Sequence, residues 1–229
     1  MNVRLVSYTP NPDQVCDMAC RTCTSDDCPK ITPTTDKLSA LRNALDSGHE
    51  SVAEHATFTF QVEGVSRVTE IQLVRHRLAS YSIQSGRYCK RKASDFVIPE
   101  SIKVAMKNDL MNGGGWDPSG CLQSDIDNLI MDLSILDERM EKLGVPVEDR
   151  RYLYPQGIMT NIVFTMNARE LRHFFKLRLC KRAQWEIREL AECMYECVKN
   201  IAPVLFEGVG PACIMDGKCK EKKRCDKNE

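Results

Sequence analysis

TFTFQVEGVSRVTEIQLVRHRLASYSIQSGRY, residues 57–88, holds the reading on which the fold turns. Thr, Phe and Val alternate with period two over 57–65, which predicts a half-buried strand. From 66 to 77 the apolar residues Val68, Ile71 and Val74, followed by Leu78, recur at helical spacing. The following ASYSIQSGRY is a polar turn-and-strand segment that returns Ser80, Ser85 and Arg87 to the same end. Gln72 and Arg75 are three apart and share a helix face. Arg75, His76 and Arg77 are expected in the last helical turn, where cations complement the carbonyl end of the helix dipole.

Working outward, residues 3–8 alternate as a short strand. Residues 13–22 and 36–47 read as helices, the second closed by Gly48 as a C-cap residue. Ser51-Val-Ala-Glu54 fits the Ser-x-x-Glu capping box and predicts a helix start. Residues 95–99 are compatible with an edge strand. Residues 112–120, with three consecutive glycines, read as a surface loop. Ile126, Leu129, Ile130, Leu133, Leu136, Met140 and Leu143 make the clearest amphipathic helix in the chain. Residues 158–166 read as a strand and 167–178 as a helix capped by Asn167, with Glu170 at its third position. A further helix over 183–201 places Ile187, Leu190, Met194, Cys197 and Ile201 on one face. The expected class is α/β (α+β), a mixed central sheet flanked by helices, in one domain over 1–208 with helical additions. Residues 209–229 are expected to be a polar, Cys/Lys-rich tail, poorly packed.

The 229 residues suffice for one substantial core. With 42% hydrophobic and 28% charged residues, the composition is that of a soluble globular protein. No apolar run approaches the roughly 20 residues of a membrane span, and the N-terminal stretch lacks the apolar core of a secretory signal. The expected location is the cytoplasm, where the twelve cysteines stay mostly as thiols.

Formal net charge is zero, but its distribution is uneven. Residues 67–92 hold seven Lys/Arg against Glu70 alone, and residues 169–188 hold seven against Glu170 and Glu186. Two basic segments far apart in sequence suit an anion-binding region, and each alone also reads as a solvated helical face. Arginine offers a planar fork that matches phosphate or a carbonyl edge, as lysine does not. Ser85-Gly86-Arg87 sets a hydroxyl, a bare backbone and such a fork in succession.

Arg75-His-Arg-Leu-Ala-Ser80-Tyr-Ser-Ile-Gln-Ser85-Gly-Arg87 resembles the signature of the flavin-dependent thymidylate synthases. GHESVAEHATFTF (48–60) is similar to that family's Gly-His-Glu segment leading into a strand. RRYLYP (150–155), NARELRHFFKLR (167–178) and AQWE (183–186) resemble its later blocks, in order. The resemblance implies that Gln72, Arg75, Ile83, Gln84, Ser85, Gly86, Arg87, Arg151 and Arg178 face the nucleotide dUMP. It gives Arg178 the task of polarising the uracil ring edge and Ser85 a hydrogen bond to substrate. It places His49, Ser51, Arg75, His76, Arg77, Asn167, Ala168, Arg169 and His173 at the FAD. Ser51 as a helix N-cap would suit a pyrophosphate, and Ser51 with Glu54 reads equally as an ordinary capping box. The chain departs from the pattern at Ile83, His173 and Arg182, where some members carry a polar residue, Asn and His.

The activity implied is reductive methylation of dUMP to dTMP. 5,10-Methylenetetrahydrofolate supplies the carbon, NADPH reduces the FAD, and tetrahydrofolate is released. A homotetramer is implied as well, with no nucleic-acid partner, no membrane and no metal. Other classes fit less well. His49 and His55 are six apart, whereas a helical zinc pair needs four. Cys16, Cys20, Cys23 and Cys28, and Cys213, Cys219 and Cys225 in the tail, lack the two C-x-x-C pairs of a zinc ribbon. The RHR and KRK clusters (75–77 and 90–92) could suit nucleic acid, but overall neutrality and the absence of a recognised binding motif argue against it. Neither Gly-x-Gly-x-x-Gly nor Gly-x-x-x-x-Gly-Lys-Ser/Thr occurs, which excludes Rossmann and P-loop sites.

Overall fold

The computed structural model describes residues 1–31, 38–89, 95–111, 121–219, 221, 222 and 225. The expected glycine loop at 112–120, the KRK cluster at 90–92 and the start of the helix expected from 36 lie outside the described residues. The chain forms the expected α/β class. Its four-stranded sheet has the order β1-β2-β4-β3, with β1 at Asn2–Tyr8, β2 at Thr57–Ser66, β3 at Ala79–Ile83 and β4 at Met159–Asn167. Strands β1 and β2 run antiparallel, Asn2 opposite Glu63 and Tyr8 opposite Phe58, with a register shift between Leu5 and Ser7.

The chain divides into two compact units. The first comprises Met1–Glu63, Ile71–Ser82 and Ile162–Glu229. It holds most of the sheet together with helices α1 (Pro12–Thr22), α2 (Ser39–Asp46), α7 (Ala168–Arg178), α8 (Trp185–Val198) and α9 (Ala212–Met215). Period-two burial along β2 turns Phe58, Phe60 and Val62 inward, all fully buried. Phe60 stacks on Phe164 of β4 at 5.5 Å, and Phe58 meets Phe206 edge-on at 5.6 Å. Phe174 and Phe175, on the inner face of α7, complete this core. Each such ring contributes about 1.5–3 kcal/mol by leaving water. Buried Asp13 on α1 accepts the backbone N–H groups of Val204 and Leu205, so the carboxylate closes the segment after α8.

Asn167 caps α7 as expected, its side chain accepting the Glu170 N–H at 2.9 Å. Gly48, with φ +79°, follows the C-cap of α2 in the left-handed region that favours glycine. The predicted helix start at Ser51 is corrected. A 3₁₀ helix, Glu50–His55, begins one residue earlier with His49 at its cap and no side-chain cap bond. Glu54 does not reach back to it, because Arg169 holds its carboxylate at 2.5 Å. The start of the tail is packed: Val209 is buried, and Asp216, just after α9, accepts from Lys176 at 2.6 Å.

The second unit comprises Gly64–Glu70 and Ile83–Asn161. Its helices are α4 (Glu100–Met111), α5 (Leu122–Lys142) and α6 (Val147–Arg150). The expected edge strand at 95–99 reduces to a single bridge between Phe96 and Ile158, flanked by backbone bonds Val97 to Gly157 and Met159 to Asp95. Pro99 removes the next donor. The amphipathic helix forms as α5, yet none of its residues is buried, and Leu129, Ile135 and Leu136 stand exposed. Arg150, only 4% exposed, fastens α6 to α5 through the Asp137 carbonyl at 3.1 Å and the carboxylates of Asp137 and Glu141.

Helix α3, Arg67–Leu73, crosses the division between the units and is shorter than the 66–77 expected. His76 donates its N–H to the Leu73 carbonyl, closing a four-residue turn. The Tyr81 hydroxyl lies 2.8 Å from both the Leu73 and His76 carbonyls and satisfies the helix end. Arg75, His76 and Arg77 therefore lie beyond the helix, which corrects their placement in its last turn.

Candidate active site

The turn after α3 presents Arg75 and Arg77 to solvent and His76 to the interior of the first unit. Neither arginine hydrogen-bonds or ion-pairs with a described residue. The His76 ring, 4% exposed, lies edge-on to Phe174 at 4.9 Å and is 5.9 Å from the His173 ring. Its Nδ1 is 2.9 Å from a Glu170 carboxylate oxygen, and its Nε2 is 3.2 Å from Arg178 Nε. Glu170 and Arg178 thus grip one imidazole from the first and last turns of α7. Burial pushes the His76 pKa down, and nearby Arg178 pushes the same way against the opposing pull of Glu170. Burial also lowers the Arg178 pKa.

Around this centre the same unit exposes His49, Ser51, Arg169 and His173. Asn167 and Gln72 are half-buried. Ala168 is fully buried and its N–H is taken by the Ala56 carbonyl at 2.8 Å. Both nitrogens of His76 are engaged inside the protein. Arg169 is tied to Glu54, and the neighbouring Arg172 to Glu50 at 3.2 Å. The expected flavin set thus gathers in one unit, together with Gln72 and Arg178 of the nucleotide set.

The remaining nucleotide residues lie in the second unit. Ile83, Gln84, Ser85 and Gly86 are half-buried, while Arg87 and Arg151 are exposed. Ser85 Oγ accepts the Arg87 N–H at 3.2 Å, forming a small turn. A Cβ on Gly86 would stand 3.2 Å from the Arg151 stem, so the missing side chain makes room for that arginine. Glu148 links the pair: its carboxylate accepts from Arg87 Nε at 2.8 Å and its carbonyl from Arg151 Nε at 3.0 Å. Sequence reading missed Glu148 altogether and took Glu170 only as a capping residue. The acidic VED stretch directly before RRYLYP is the one signal that could have suggested Glu148.

Chemically, both clusters offer guanidinium groups to an anion or a carbonyl edge. Among the described residues no group of three or more His, Cys, Asp or Glu could hold a metal ion, and no helix is long and apolar enough to cross a membrane. The cysteines form no disulfide.

Comparison with known proteins agrees with these elements. The family model for the thymidylate synthase complementing protein matches residues 4–204. The flavin-dependent thymidylate synthase of Geobacter sulfurreducens is 40% identical, the match covering 96% of this chain and 91% of that protein. The enzyme of the same description from Pyrococcus horikoshii is 42% identical, with 97% and 91% covered. The crystal structure of the Helicobacter pylori flavin-dependent thymidylate synthase complexed with FAD and dUMP superposes with a TM-score of 0.66 at 25% identity. It covers 92% of this chain and 100% of that one. The class is therefore that of the thymidylate synthase complementing proteins. Within it, the chain belongs to the flavin-dependent thymidylate synthase family.

Proposed function

We propose that this protein is an FAD-dependent methyltransferase that converts dUMP to dTMP. 5,10-Methylenetetrahydrofolate is the one-carbon donor, NADPH the reductant and tetrahydrofolate the second product. The observation that carries the reading is the state of Arg178. Its Nε is committed to His76, while its two terminal NH₂ groups make no hydrogen bond to a described residue. A fork held at one end in this way suits the two-point recognition of a pyrimidine edge.

The residues present fit a flavin nucleotide. Exposed, unpaired Arg75 and Arg77 suit a pyrophosphate, and His49, Ser51 and His173 stand exposed in the same unit. Asn167, Ala168 and Arg169 complete the proposed flavin set, with Ala168 limited to a backbone role by its burial. When bound, the flavin supplies the reducing equivalents for converting the transferred carbon to a methyl group. The chain's share is positioning and electrostatics. Within the second unit Arg87 and Arg151 suit the nucleotide phosphate, and Arg75 of the first unit is shared between nucleotide and flavin. Gln72, Gln84 and Ser85 hydrogen-bond the nucleoside, with Ile83 against it and Gly86 leaving room for the backbone to approach. Arg178 stabilises negative charge developing on the uracil ring.

Following the family resemblance, we propose a homotetramer working in the cytoplasm; Leu129 and Leu136, one above the other and exposed on α5, are available for such association. The test is anaerobic. Purified protein is loaded with FAD, given dUMP, methylenetetrahydrofolate and NADPH, and assayed for dTMP. A yellow protein that forms dTMP is the expected result, and a folded, flavin-loaded protein that forms none would end the reading.

A further inference from the structure

The bridge from Glu170 through His76 to Arg178 has a definite protonation pattern. An arginine Nε carries its proton at every accessible pH, so Arg178 donates and His76 Nε2 accepts at 3.2 Å. A neutral imidazole with a bare Nε2 holds its proton on Nδ1, which then faces Glu170 Oε1 at 2.9 Å. Both ends of the ring select the same tautomer. The ring is 4% exposed and lies edge-on to Phe174, so Glu170 and Arg178 are its hydrogen-bond partners on the protein side. The supports are themselves held. Glu170 N–H is capped by Asn167, and the Tyr81 hydroxyl donates to the His76 carbonyl.

The electrostatic consequence concerns Arg178. A carboxylate placed against a guanidinium binds it strongly but cancels much of its charge. Here the acceptor is a neutral imidazole, and the carboxylate sits one ring away. The arginine is fixed in direction while its positive charge stays available at the outer edge of the fork. We propose that Glu170, acting through the Nδ1–H tautomer of His76, is a positioning residue that aims Arg178 at the pyrimidine. This deepens the proposed reading and rests on it; neither Glu170 nor His76 need touch dUMP.

The experiment has two arms on the full-length, flavin-loaded protein. The first is ¹⁵N NMR of histidine-labelled protein, with the His76 signals among the four histidines identified by His76→Gln. At neutral pH the spectrum should show a protonated Nδ1 and a bare Nε2. A protonated Nε2, or a charged ring, in the wild-type spectrum overturns the proposal before any kinetics are measured. The groups facing the ring as pH is lowered are Glu170, His173 and Arg178 on α7 and Tyr81 on β3, with Arg75 and Arg77 flanking it in the chain.

The second arm is kinetic. Glu170→Leu should lower kcat/KM for dUMP by about 10- to 100-fold with flavin content kept, the scale of one lost orienting contact. Glu170→Gln, which keeps an acceptor for Nδ1–H, should recover most of that loss. Equal kinetics for the Leu variant and wild type, or no recovery in the Gln variant, overturns the proposal. A wild-type protein that binds flavin but never turns over dUMP sinks the functional reading instead, and the histidine spectrum still decides the bridge.

Discussion

Glu148 binds two arginines in two ways, Arg87 with its carboxylate at 2.8 Å and Arg151 with its backbone carbonyl at 3.0 Å. The Arg87 and Glu148 side chains are 55% and 47% exposed, so the ion pair adds no more than about 1 kcal/mol to stability. Under the proposed function its use is to set the direction of Arg87, since binding only Nε leaves the outer fork for a phosphate. Its drawback is a negative charge near the same phosphate. Two variants separate these effects. Glu148→Gln keeps the acceptor and removes the charge, so dUMP should bind at least as well as to wild type. Glu148→Ala loses the orientation and should raise KM for dUMP about fivefold, near 1 kcal/mol. Steady-state kinetics check the pair; equal KM values for the two variants would reject orientation as the role of Glu148.

His76 makes folding sensitive to acid. Its pKa in the folded protein lies below the ordinary 6.5 because burial, with Arg178 adding to it, disfavours the charged ring. Above pH 6.5 the ring is neutral in both folded and unfolded chains, and no penalty arises. As pH falls below that value the unfolded chain takes up the proton first, so stability drops until the folded-state pKa is passed. Denaturant midpoints measured between pH 7.5 and 5.5 should fall for wild type and fall less for His76→Gln. Parallel curves for the two proteins would falsify this assignment.

Arg178→Ala tests the substrate edge directly. The change deletes a fork whose Nε rests on a buried neutral acceptor, His76 Nε2. Activity should drop by about a hundredfold or more, as for loss of one oxyanion-type donor, with dUMP binding weakened. Flavin should be retained, because Arg75 and Arg77 remain in place. Flavin absorbance and dUMP titration on the same sample give both readouts, and unchanged kinetics would remove Arg178 from its role.

No thiolate is needed in the proposed chemistry, and the structure disfavours several. Burial drives Cys16 up to about 12 and raises Cys20, Cys193 and Cys197 as well. Individual Cys→Ser variants at these positions should all form dTMP. One that binds flavin and dUMP yet makes no product would show a nucleophile where none is assigned.

Local patterns were legible in the sequence where their partners are also local. Asn167 and Glu170 are three apart, and the cap formed as read. The alternation of β2 is a property of consecutive residues, and it too formed. The failures have distant causes. Ser51-x-x-Glu54 satisfies the capping-box spacing, but Arg169, 115 residues away, claims Glu54. Helical periodicity runs past Leu73, but Tyr81 closes the helix end from β3. Glu148 meets Arg87 across 61 residues. In α5 the apolar period was plain, but periodicity does not say whether the face is covered within one chain. The family resemblance named the arginines of both clusters, whereas the contacts of Glu148 with Arg87 and of Glu170 with His76 appear only in the fold.

Arg150 and Arg151 are adjacent and chemically identical, yet the structure gives them different tasks. Arg150 is 4% exposed between Asp137 and Glu141, and its removal deletes both of these ion pairs. Arg151 is exposed, with its stem against Gly86 and its Nε on the Glu148 carbonyl. Arg150→Met should cost about 3 kcal/mol, the low end for a broken buried pair because Asp137 and Glu141 stay partly hydrated. Arg151→Met should change stability by about 0.5 kcal/mol or less, as surface substitutions do. Its effect should fall on dUMP, with KM rising about tenfold for one lost phosphate contact. Chemical denaturation paired with dUMP titration distinguishes the two. If both arginines shift stability alike and neither shifts KM, Arg151 belongs to the scaffold and the phosphate must be held by other residues.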